Sequence, residues 1–94
     1  MKDARIISPS DVRLYYFGSK DVLASSFEKE NRKQKLMRAV TLNNSDRTPI
    51  NLYIKLPSGE TLEMRSDSLD FADDFVIIKG GFHIPVWAII DVDA

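Results

Sequence analysis

The stretch DDFVIIKGGFHIPVWAIIDV, residues 73–92, joins a dense run of bulky apolar side chains to the chain's one histidine and one tryptophan. Asp73-Asp74 reads as a turn, Phe75 to Lys79 as a strand, and Gly80-Gly81 as the next tight turn. From His83 onward both parities are apolar: Ile84, Val86, Ala88, Ile90 and Val92 alternate with Pro85, Trp87 and Ile89. A small β-domain covers one face of a strand, and proline restricts a strand to an edge or a bend. An apolar edge left open invites association. The expectation is therefore core on one side and a neighbouring subunit on the other, with Ile84, Val86, Trp87, Ile89 and Ile90 as interface candidates.

The residues before this stretch carry period-two patterning. Ile50, Leu52, Ile54 and Leu56 alternate with Asn51, Tyr53 and Lys55, the pattern of a half-buried strand. Pro57-Ser58-Gly59 is a hairpin turn. In the next strand the apolar positions begin even (Leu62, Met64) and end odd (Leu69, Phe71). A regular strand cannot change parity, so a bulge or sharp bend is expected at Ser66-Asp67-Ser68.

Earlier still, Ser25-Ser26-Phe27-Glu28 is a capping-box pattern, predicting a helix over 26–40. Its apolar side is sparse, with Phe27 at one end and Leu36, Met37 and Val40 at the other. The first turns should therefore face solvent or a neighbour. Leu42 to Asp46 reads as a loop. Ile6 to Phe17 suits either a short helix capped at Ser8-Pro9-Ser10-Asp11 or a strand, and the alternation about Val12, Leu14 and Tyr16 favours the strand.

Ninety-four residues make one domain. No run is long and apolar enough for a membrane span, and the first residues lack the apolar run of a signal peptide. With no cysteine there is no disulfide, thiolate nucleophile or cysteine-based zinc site. A cytoplasmic protein is the expectation, since a reducing compartment suits a cysteine-free chain. The net charge of −1 conceals about +4 over residues 1–47 and about −5 over 48–94. An anionic partner would meet the first half, although a Lys- and Glu-rich helix is also an ordinary solvated face.

A helix followed by a five-stranded meander with a bent second strand resembles the Sm-like (LSm) family, closest to its bacterial RNA-chaperone branch, Hfq. The resemblance rests on Arg47-Thr48-Pro49-Ile50-Asn51-Leu52-Tyr53-Ile54, on Asp73 to Lys79, and on Ala88-Ile89. It covers residues 26–94 as an Sm-like domain (helix 26–40, barrel 50–94), leaving 1–25 as an N-terminal extension. It implies a mainly β fold, a strongly bent antiparallel barrel of the SH3-like kind. It also implies a cyclic homo-oligomer of about five to seven copies sealed by the last two strands. The implied function is single-stranded RNA binding of RNA-chaperone type. Phe75 and Tyr53 would be the stacking residues, and Arg47, Lys35, Arg38, Arg32 and Lys33 the phosphate contacts. The departures are Val86-Trp87 in place of a Lys-His pair, Glu60-Thr61 beside Tyr53, and Asp70, Asp73 and Asp74 in the pore-side loop. They favour the alternative, a structural or protein-interaction ring without RNA.

Other chemistry has little support. His83 has no second histidine or cysteine beside it, and Asp70, Asp73 and Asp74 lack calcium-loop spacing, so no metal or cofactor is expected. Without a phosphate loop or a nucleophile–base pair, no enzyme activity is expected either.

Overall fold

The computed structural model describes residues 3–93, so Met1, Lys2 and Ala94, at the ends of the two expected spans, lie outside it. The strands are β1 (Arg5–Ile7), β2 (Ile50–Lys55), β3 (Thr61–Ser66), β4 (Leu69–Ala72), β5 (Phe75–Ile78), β6 (His83–Pro85) and β7 (Ile89–Asp93); helix α1 is Ser26–Asp46. They form two sheets, one ordered β1-β3-β2-β7 and one ordered β4-β5-β6. The pairs are antiparallel except β1 with β3, which is parallel.

This corrects the expected fold. The chain does not form one closed, five-stranded, strongly bent Sm-like barrel; it forms separate sheets of four and three strands beside a helix. Two interruptions pass the backbone between the sheets. The first is Asp67-Ser68, where the apolar parity changes, and Ser66 and Leu69 on either side are both buried. The Ser66 hydroxyl donates to Ser68 O at 2.6 Å and accepts from the N–H groups of Ser68 (3.2 Å) and Lys79 (3.3 Å). The second is the single 3-10 turn Val86–Ala88, which splits the expected last strand after Pro85. Pro85 thus falls on an edge strand, where its missing N–H removes no ladder bond.

The alternation over 50–56 is obeyed: Ile50, Leu52, Ile54 and Leu56 are buried, and Asn51, Tyr53 and Lys55 are not. Together with Leu62, Met64, Val76, Ile78, Ile84, Ile89 and Leu36 they build the core. The helix runs six residues past its expected end. Asn43, buried in its last turns, donates through Nδ2 to Thr48 O (3.1 Å) and Asp67 O (2.9 Å), and Arg47 closes the helix in the left-handed conformation (φ 57°). These tertiary bonds outweigh the weak helix preference of the Asn-Asn-Ser-Asp sequence.

The N-terminal segment is woven into the fold. Arg5–Ile7 extends the first sheet along β3, and Pro9–Leu14 is a 3-10 helix held by the Ser8–Asp11 capping box, so the strand expected there is a helix beyond Ile7. Residues 18–22 cross the C-terminal apolar stretch as a strap. Trp87 Nε1–H donates to Gly18 O (3.1 Å), and Val22 N–H donates to Trp87 O (2.9 Å). Gly18 has φ +74°, and a Cβ there would lie 3.0 Å from Pro57 Cγ, so the strap is fitted between Pro57 and Trp87.

This placement overturns the expected ring. Of the interface candidates, Ile84 and Ile89 are fully buried core, and Val86, Trp87 and Ile90 are half-buried within a single chain. Ile90 is the extra residue where the β2–β7 register shifts. The chain's own strap covers Trp87, the largest residue of the second apolar face, which removes the reason for a cyclic homo-oligomer, in either its RNA-binding or its protein-binding form.

Replacing Ser66 with Ala leaves two backbone N–H groups at the corner without their acceptor. The expected cost is about 1–3 kcal/mol, read from urea unfolding. A loss below a few tenths would show that the corner does not depend on this hydroxyl.

Candidate functional site: a groove between the helix and the second sheet

The phosphate and stacking candidates do not share one surface. Arg32 is only 7% exposed, and its guanidinium grips Asp21 through Nη1–Oδ1 (2.8 Å) and Nη2–Oδ2 (2.7 Å) while Nη1 also donates to Ile89 O (3.1 Å). A charge so enclosed is unavailable to phosphate, and its Nε is buried without a hydrogen-bond partner among the described residues. Arg47 is exposed at the helix C-terminus. Phe75 packs edge-on against His83 (centroids 6.0 Å) and Trp87 (5.8 Å).

Tyr53, Lys35 and Arg38 do meet, in a concavity of about 570 Å³ between α1 and β7 that also holds Asp91 and Asp93. The register sets Glu63 and Asp91 on either side of Tyr53. Partial burial, then the charges of Glu63, Asp93 and Asp91, hold the Tyr53 hydroxyl above the ordinary tyrosine range. Lys35 is already committed to Asp91 at 2.9 Å. The field at the stacking candidate is thus negative, the wrong sign for a polyanion. Together with the open fold, this corrects the reading of the protein as a ring that binds single-stranded RNA.

A second concavity, about 600 Å³, lies between the first half of α1 and the β4–β5 hairpin. Leu36, Met37, Phe71 and Val86 supply its apolar lining. The helical wall carries Lys29 and Lys33 with Glu30 between them; the opposite wall carries Asp73 and Asp74. Local structure explains both walls. Ser26, Lys29, Lys33 and Met37 follow one helix face, beside the buried line of Arg32, Leu36, Ala39 and Asn43. Asp73-Asp74 is a two-residue hairpin turn in which Asp73 takes φ 56°, a region that Asp enters more readily than most residues.

Among the described residues, Lys29, Lys33, Asp73 and Asp74 form no ion pair with one another or elsewhere. Glu30, the acid on the helical wall, accepts from Gln34 at 3.1 Å. Sequence reasoning placed Lys33 among phosphate contacts and Val86 in a subunit seam, and it passed over Met37 and Phe71. The usable signal was the sparse apolar face of the helix's first turns, which leaves a wall rather than a core contact. No group of three or more metal-ligating side chains exists among the described residues, and no described helix is long and apolar enough to cross a membrane.

Comparison with known proteins adds no relative: no family model, curated protein or solved structure matches the chain. None of these comparisons connects the chain to the Sm-like family.

The Arg32–Asp21 pair yields a pH dependence. The hydrogen bonds from Arg32, against an opposing contribution from burial, hold the Asp21 carboxyl below its ordinary value. A depressed carboxylate contributes stability above its unfolded pKa of about 3.9 and loses it as pH falls through the lower folded value. At pH 7, Asp21→Asn should cost about 3 kcal/mol, because it leaves a buried guanidinium without its counter-charge. In urea unfolding, the gap between wild type and Asp21→Asn should narrow as pH drops below about 4. A gap unchanged by acid would contradict the assignment.

Proposed function

We propose that this domain is a protein-interaction module, not an enzyme, and that it docks a short segment of a partner protein in the groove between α1 and the β4–β5 hairpin. One observation carries the reading: an apolar lining flanked by charges of opposite sign that form no ion pair among the described residues. Met37 is 49% exposed there, and Phe27, next in the chain to the groove residue Ser26, is 79% exposed. Side chains of this kind supply binding energy when a partner covers them. A volume of about 600 Å³ suits a few anchoring side chains rather than a whole domain face. Polyanions and anionic lipid surfaces would meet Asp73 and Asp74, whereas a polypeptide can present both signs. The cytoplasm is the compartment we propose.

A random peptide library displayed on phage and selected against the intact chain tests the reading. Enriched peptides should lose about tenfold in affinity or more on Met37→Glu, which places a charge against the apolar lining. Tyr53→Ser, in the other concavity, should leave them bound. No enrichment, or peptides indifferent to Met37→Glu, would refute the module.

A further inference from the structure

We infer that the docked segment is dipolar: apolar anchors with carboxylate side chains along one flank and cationic side chains along the other. The inference rests on the docking reading above and specifies the chemistry of the ligand. The two walls differ in sign and in origin, Lys29 and Lys33 from helix positions one turn apart, Asp73 and Asp74 from adjacent turn residues. The helical wall is net cationic, Lys29 and Lys33 outweighing Glu30, and the hairpin wall is anionic; among the described residues neither lysine and neither aspartate forms an ion pair. A purely acidic segment satisfies the helical wall and is repelled by the hairpin; a purely basic one does the reverse. A segment with both signs satisfies both walls at once and carries no net charge to be repelled.

The test uses short synthetic peptides that share leucine anchors and differ only in their flanks: glutamates on one side and lysines on the other, glutamates on both, or lysines on both. Fluorescence anisotropy at low salt should rank the dipolar peptide first by about fivefold over either uniform one, the size of one or two exposed charge contacts. That margin should shrink as salt rises. Lys33→Glu should remove the dipolar peptide's advantage over the all-lysine peptide, and Asp74→Lys its advantage over the all-glutamate peptide. Both residues are exposed, so the fold is kept, and circular dichroism verifies it. Lys29 is left in place because its charge also helps hold Asp21 ionised. Equal affinity for all three peptides, with binding still lost on Met37→Glu, would overturn the dipolar ligand and leave the docking groove standing. Failure of every peptide to bind would overturn both.

Discussion

The rest of the fold hangs on a guanidinium placed where a helix would ordinarily bury an apolar side chain. Arg32 occupies the buried line of α1, between the first turns and Leu36. Desolvating that charge is expensive unless its donors are met. Asp21 meets it with both carboxylate oxygens and the Ile89 carbonyl adds a third contact, so one side chain joins the strap, the helix and the start of β7. The geometry is of the planar, two-pronged kind that lysine cannot reproduce. With Asp21 fixed, the strap is committed to crossing Trp87, whose indole N–H and carbonyl are both satisfied by strap backbone.

That crossing settles which surfaces remain free. An apolar strand with two greasy faces needs two covers, and the chain supplies the second one itself. The sheets stay separate because the two connections between them are short and turned: a serine-bonded corner at 66–68 and a 3-10 turn at 86–88. β1 then occupies the outer side of β3, and α1 lies against β7 and β4. The helix contacts both sheets, through β7 and β4, and its earlier lysines line the groove.

Local periodicity was legible wherever it came from burial on one face. The alternation of 50–56, the parity change at 66–68, the capping box at Ser25 and the tight turn at Asp73-Asp74 all mark their structures in the residues themselves. What escaped was every feature decided by a distant partner. Arg32 reads as one more cation on a basic helix until Asp21, eleven residues earlier, is brought against it. Trp87 reads as a seam residue until Gly18 arrives from sixty-nine residues away. The helix end was misjudged for the same reason, since Asn43 is held by Thr48 and Asp67 rather than by its own propensity. Closure of a barrel was likewise implied only by the family resemblance, and short matching motifs do not say whether the first and last strands meet.

The free charges of the groove acquire meaning from those satisfied ones. Elsewhere four ion pairs form among the described residues: Arg5 with Glu60, Arg32 with Asp21, Lys35 with Asp91, Lys79 with Asp67. Lys33 and Asp74 line one concavity yet form no ion pair. Were the walls to close, the salt bridges gained would be exposed ones worth little. Holding the walls apart instead keeps Phe71, Val86 and Met37 in contact with water, a larger loss for an isolated domain than any surface pair could recover. An apolar cleft held open between unmatched charges is a poor arrangement for a domain acting alone. It suits one whose partner brings the missing side chains of both kinds.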